Sequence, residues 1–224
     1  FYNAGQTCVA PDYVLVEESV HDALVTRLAS TIRSFYGDDP QKSADYGRII
    51  NGQHHERLLR LLSGAKVVTG GQSDAEDRYI APTILRDVKP EDAVMQKEIF
   101  GPILPVISVP DIDAAIGFVN ERPHPLALYA FTRSRRAQKQ ILDNTQSGGI
   151  TFNHVWLHLG VPELPFGGIG ESGMGAYHGR TGFETFSHRK AVLRKPFRPD
   201  PSLLYPPYHD WKLRALRWIS KHLG

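Results

Sequence analysis

The sequence predicts an α/β fold: a mostly parallel sheet covered by helices, followed by an extended C-terminal arm. Two observations carry this. Short apolar runs alternate with amphipathic segments of ten or more residues as far as residue 153, the pattern of strands joined by crossover helices. No period of about 20–50 residues recurs, which excludes repeat architectures. The 224 residues, 41% hydrophobic and 22% charged, have the composition of an ordinary globular chain large enough for one sizeable core.

The elements are taken in chain order. Residues 13–16, Tyr-Val-Leu-Val, form a short buried strand. Ser19 has the chemistry of an N-cap and opens a helix through about Tyr36, which Gly37 and Pro40 end. Leu24, Leu28, Ile32 and Phe35 supply its core-facing stripe. A second helix covers about 52–62, with Leu58, Leu59, Leu61 and Leu62 apolar and His54, His55 and Arg57 solvated. Residues 66–69 form a strand, 70–78 a polar loop, and 79–85 another strand. The strand at 104–109 feeds Pro110-Asp111, which starts a helix ending near Asn120. A buried strand at 126–132 precedes a helix from Ser134 to about Asn144, and Gly148-Gly149 leads into a last strand at 150–153.

The C-terminal part differs in character. Residues 167–182 are glycine-dense, 183–193 read as an extended arm, and five prolines between 196 and 207 make the next segment stiff and irregular. Residues 208–223 form an amphipathic helix, with Trp211, Ala215, Leu216, Trp218, Ile219 and Leu223 on one face. Contact of this helix with a membrane surface is a less favoured reading than docking on its own domain or a partner subunit.

Composition also bounds function. A formal net charge of +2 is too small for a nucleic-acid footprint, so no nucleic-acid partner is expected. No window holds the roughly 18–20 unbroken apolar residues of a membrane span. With one cysteine and no signal-peptide pattern at the start, the cytoplasm is the expected compartment. The chain begins on Phe1, and its methionines are Met95 and Met174; this reads as the later part of a longer protein.

Cys8, the lone cysteine, is either a buried inert thiol or a nucleophile. Asn3, Gly5, Gln6 and Thr7 surround it with polar groups, and the apolar run begins only after Pro11. That favours the nucleophile. Glu98-Ile99-Phe100-Gly101-Pro102 places a carboxylate and a flat apolar ring at one turn. Such a pair can hold sugar hydroxyls and an aromatic heterocycle, or simply be a charged loop with one anchoring ring. Gly168 to Gly173 matches G-x-G-x-x-G, but a proline-flanked loop precedes it and more glycine comes after. A dinucleotide fingerprint needs a strand before and a helix after, so a packed backbone crossing is the better reading. His154 and His158 lie four apart without an acidic or cysteine third ligand nearby, and no metal is expected. A Cys-His hydrolase has no supporting flanks around Cys8.

Taken together, residues 3–8 (Asn-Ala-Gly-Gln-Thr-Cys), 98–102, 164–168 (Leu-Pro-Phe-Gly-Gly) and 172–175 (Ser-Gly-Met-Gly) resemble the aldehyde dehydrogenase superfamily in order and spacing. Residues 8–13, 35–37, 45–50, 177–179 and 183–189 are similar to its class 3, fatty-aldehyde branch. Residues 205–208, Tyr-Pro-Pro-Tyr, are similar to bacterial coniferyl aldehyde dehydrogenases.

The resemblance implies a small-molecule aldehyde substrate, aliphatic or aromatic, oxidised to the carboxylic acid through a thiohemiacetal and thioester on Cys8. It implies NAD or NADP as hydride acceptor, with Glu98 on the nicotinamide ribose and Phe100 near the ring. Asn153 to Leu159 maps onto a substrate-tunnel loop, with Asn153 and Trp156 as its candidate lining residues. Residues 1–182 then form the catalytic domain, 183–195 an oligomerisation strand of a homodimer, and 196–224 a proline-rich tail with its helix. In the family the cofactor-binding domain, an oxyanion asparagine and a glutamate base all precede the cysteine. Only residues 1–7 precede it here, so the isolated chain is expected to be inactive. A non-catalytic remnant serving as an interaction domain is the alternative.

Overall fold

The computed structural model describes residues 1–223, with the backbone alone for Leu223. Two compact units divide the chain, one from Phe1 to Phe186 and one from Ser187 onward.

In the first unit the elements run β1 (Val14–Glu17), α1 (His21–Tyr36), α2 (Gly52–Leu62), β2 (Lys66–Thr69), β3 (Ser73–Asp74), β4 (Tyr79–Ile80), β5 (Thr83–Arg86), β6 (Ile103–Val109), α3 (Ile112–Asn120), β7 (Ala127–Ala130), α4 (Arg135–Asn144), β8 (Gly149–Phe152) and α5 (Gly179–Thr185). The main sheet has the order β1-β6-β5-β2. Its β1–β6 and β6–β5 ladders are parallel, with Val16 opposite Ser108 and Thr83 opposite Ile103, and β2 closes it antiparallel to β5. A second pair, β7–β8, is parallel. The mostly parallel α/β sheet is therefore present.

Strand alternation sends successive residues to opposite faces. Ile84 and Val106 pack with Val16 and with Val25 and Ile32 of α1. Leu85, Ile103 and Ile107 pack on the other face with Leu58 of α2, Ile49, Ile80 and Ile99. Burial on both faces explains why the central strands read as continuous apolar runs.

Two helix starts match the sequence: Asp111 accepts from the Ala114 N–H and Ser134 from the Ala137 N–H. Gly37, at φ 79, ends α1 as expected.

The entry to α1 differs. Residues 18–20 form a 3₁₀ turn and the helix starts at His21, so Ser19 lies inside the turn and caps nothing. Phe35 is exposed, because Tyr36, one position on, takes the inward direction and meets the Tyr46 ring 5.0 Å away. Val25 joins the buried stripe in its place.

His55, expected in solvent, is buried, with its Nε2 2.9 Å from the Tyr79 carbonyl oxygen. The strand expected over 79–85 is broken at Pro82, which has no N–H for the ladder. Tyr79–Ile80 instead forms a hairpin with Ser73–Asp74, inside the segment expected to be loop. Of β7 only Ala130 is fully buried, since its sheet has just two strands. The glycine-dense segment is a backbone crossing: a Cβ on Gly168 would lie 2.1 Å from the Ser172 carbonyl oxygen.

No strand forms over 183–195. Phe183 to Thr185 complete α5, and the chain after Ser187 runs without helix or strand until a 3₁₀ turn at Ser202–Leu204. Extended residues form a ladder only beside another strand, and among the described residues none pairs with this segment. In this second unit α6 (Asp210–Leu223) forms as expected. Trp211 and Trp218 are exposed, whereas Lys212 is buried and donates from Nζ to the Ser202 and Tyr205 carbonyls at 2.6 and 2.7 Å. The Leu223 side chain and Gly224 lie outside the described residues. No described helix is long and apolar enough to cross a membrane.

Candidate active site

The loop carrying Cys8 is built on an unusual backbone. Asn3, Ala4 and Gly5 all have positive φ, at 51, 53 and 72°, a region costly for residues with a Cβ. Polar side chains hold it there. Asn3 donates from Nδ2 to the Gln6 carbonyl (3.1 Å). Gln6 donates from Nε2 to the Asn3 (3.0 Å) and Arg48 (2.9 Å) carbonyls, and its Oε1 accepts from the Ile50 N–H (3.0 Å). The polar crowd seen in the sequence is thus the frame of the loop. The Ala10 N–H closes a turn onto the Thr7 carbonyl at 3.0 Å, and Cys8, inside that turn, is exposed.

The same loop rests on the second motif. A Cβ on Gly5 would lie 2.1 Å from the Gly101 carbonyl oxygen, so backbone meets backbone with no room for a side chain. Gly101 in turn sits on Leu58 of α2, which is fully buried. Asp12 Oδ1 accepts from the Ile99 N–H at 2.8 Å, and Arg57 donates to the Ile99 carbonyl. Phe100 comes next at φ 48 with its ring 40% exposed. The Glu98 carboxylate is exposed and makes no hydrogen bond or ion pair among the described residues. The Cys8 loop and the segment carrying Glu98 and Phe100 are therefore joined through Gly5 on Gly101 and Asp12 on Ile99, with Arg57 holding the same segment from α2.

Asp12 has no signal of its own in the sequence, because its partner lies 87 residues away. Burial, with the Glu98 charge beside it, pushes its carboxyl from 3.8 up to about 6, against the opposing pull of the Ile99 N–H and Arg57. The folded chain thus holds this proton more tightly than the unfolded one. Its contribution to stability is complete below about pH 4 and is lost as pH rises through about 6. Asp12→Asn keeps an oxygen for the Ile99 N–H and cannot ionise. Urea melts should show the variant gaining on the wild type between pH 4 and 7, whereas a constant gap across that range would contradict this assignment.

The loop after β8 supplies the third part. Trp156, at φ 46 and 45% exposed, stacks on Tyr2 with ring centroids 5.8 Å apart. Trp156 is thereby tied to the Cys8 loop. Asn153 is not free in the same way: its Oδ1 accepts from the Thr132 N–H at 2.8 Å, which makes it a brace for the loop. His158 is buried, with Nδ1 3.0 Å from Thr151 Oγ1 and its Nε2 unpartnered. Burial lowers its pKa, so the ring is neutral at physiological pH. Among the described residues no group of three side chains could hold a metal. An open cleft of about 800 Å³ lies beside Tyr2, Gly5, Phe35, Tyr46 and Trp156, but Cys8, Glu98 and Phe100 do not line it. The contacts, rather than that cleft, define the site.

The sequence model of the aldehyde dehydrogenase family matches residues 1–192. The chain belongs to the aldehyde dehydrogenase family. It is 52% identical to human aldehyde dehydrogenase family 3 member B1, over 96% of this chain and 47% of that protein. It is 51% identical to a Bos taurus protein named "Aldehyde dehydrogenase, dimeric NADP-preferring", over 91% of this chain and 85% of that one. Among solved structures, the substrate-bound AldH of Staphylococcus aureus superposes with a TM-score of 0.85 at 46% identity, over 97% of this chain and 48% of that one. This aldehyde dehydrogenase chain spans about half the length of most curated relatives it matches, such as the human protein at 47%.

Proposed function

We propose that the chain is the cysteine-bearing catalytic part of an NAD(P)-dependent aldehyde dehydrogenase, with Cys8 as the nucleophile. The observation that carries this is the seating of the Cys8 loop on the Glu98–Pro102 backbone, which sets an exposed thiol, an exposed carboxylate and an exposed ring on one support. These residues fit a nicotinamide cofactor. The unpaired Glu98 carboxylate is an acceptor for ribose hydroxyls, and Phe100 offers an apolar face beside it. Hydride acceptance is the chemistry NAD(P) supplies when bound.

The chain's own residues do the rest. The Cys8 thiolate adds to the aldehyde carbon, forming a C–S bond and an oxyanion that the Cys8 backbone N–H stabilises. Once the adduct has lost its hydride, for which bound NAD(P) would be the acceptor, the sulfur carries the acyl group as a thioester until water releases the carboxylic acid and returns the thiol. Trp156, backed by Tyr2, offers an aromatic wall suited to the apolar body of an aliphatic or aromatic aldehyde. The Bos taurus relative is named dimeric, which supports a homodimer, and we place its contact at residues 183–195.

Joined to an upstream region that carries the cofactor domain and the base, the protein is expected to form NAD(P)H from aldehydes, read as absorbance. The 224-residue chain by itself is expected to form none at enzymatic rates. Failure of the joined protein to turn over would overturn the reading, and turnover by the isolated chain would overturn its second half.

A further inference from the structure

We infer that Tyr129 is a positioning residue: its hydroxyl ties the Cys8 loop to the Trp156 loop and so fixes where the thiol stands relative to the aromatic wall. The inference rests on the nucleophile and wall roles proposed for Cys8 and Trp156.

Tyr129 lies on β7 and is half-buried. Its hydroxyl donates to the Val9 carbonyl at 2.8 Å, across 120 residues of sequence, immediately after the nucleophile. The backbone N–H of Trp156 faces the same phenolic oxygen. On the other side of Cys8, the Tyr2 ring stacks on the Trp156 ring. Cys8 is therefore bracketed, since residues 2 and 9 are both linked to the loop of residue 156.

The tyrosine is itself held. Its ring packs 6.1 Å from that of His158, which is buried and anchored on Thr151. Burial and the neighbouring Cys8 charge both raise the phenol's pKa, so the hydroxyl stays protonated and keeps its proton for Val9. The Val9 carbonyl accepts no other hydrogen bond among those described. A phenylalanine there would keep the ring and its packing and remove only the tie.

The test uses the thiol's own reactivity in the 224-residue chain, where the Cys8 thiolate displaces iodide from iodoacetamide or from N-benzyl iodoacetamide. General loosening of the loop changes both rates alike, whereas a shift of the thiol relative to the wall changes their ratio. The wild type should favour the benzyl reagent, and Tyr129→Phe should cut that preference about fivefold, the effect of one net hydrogen bond. Trp156→Ala should abolish it, and the double variant should match Trp156→Ala alone. An unchanged ratio in Tyr129→Phe, or additive effects, would overturn the inference while leaving the nucleophile intact. A wild type with no preference would remove the wall and the tie with it. Hydrogen exchange on the wild type gives a reading that needs no variant: amides of residues 7–10 and 155–158 should open together, and independent opening would also overturn it.

Discussion

Replacing Cys8 by alanine is expected to lower aldehyde oxidation by at least about 10⁴-fold, the scale at which removal of a covalent nucleophile acts, while the melting temperature moves by no more than about 2 °C. The two halves of this expectation come from different features. Activity falls because a bare methyl group forms no C–S bond, and Cys8 is the chain's only thiol. Stability holds because the thiol is exposed and the loop is framed by Asn3, Gln6 and backbone contacts, none of which uses the sulfur. Substitutions at such positions usually stay within about 0.5 kcal/mol. Turnover and thermal melts on the joined protein decide it. A variant that loses activity by unfolding would move the role of Cys8 from chemistry to packing.

Gly5→Ala is expected to be nearly as damaging by the opposite route. Its φ of +72° already disfavours a side chain, and the new Cβ would meet the Gly101 carbonyl oxygen at 2.1 Å and its carbon at 2.6 Å. Both are backbone atoms, so no rotamer change relieves the clash. The contact between the two motifs must open, with a loss of about 3 kcal/mol or more and a shift of the Cys8 loop relative to the segment of Glu98 and Phe100. Gly37→Ala is the matching control. Its φ is +79° but its Cβ meets nothing within 4 Å, so it should lose only the conformational part, about 1–3 kcal/mol for its extended ψ of −174°, and keep full turnover. Denaturant melts beside activity measurements separate the two. Equal losses at both glycines would show that strain, rather than the Gly101 contact, sets the effect.

Local chemistry was legible in the sequence where it acts locally. Asp111 and Ser134 cap their helices because the cap and the N–H it holds are three residues apart. The alternation of strands and helices showed the parallel sheet, since each element carries its own pattern. Cys8, Glu98 and Phe100 stood out through flanking residues and the family likeness. The features that stayed hidden depend on partners far along the chain. His55 looks solvated on a polar helix face until the Tyr79 carbonyl is placed beside it. Ser19 failed as a cap because the chain enters α1 through a 3₁₀ turn, which no single residue announces. Asp12 precedes the first strand and Tyr129 reads as an ordinary strand position, and only the fold brings them to Ile99 and Val9. The Thr132 N–H that Asn153 accepts from is likewise 21 residues away, so its part in bracing the loop is not readable locally.

The long span between Asp12 and Ile99 also sets a timetable. These two residues are 87 positions apart, and the ribosome adds about 5–20 residues per second. The thiol of Cys8, four residues before Asp12, is thus translated roughly 5–18 s before the backbone that supports its loop exists. Throughout that interval Cys8 belongs to a nascent strand without its platform. An oxidant or alkylator present during synthesis would therefore meet the proposed nucleophile before it meets a site.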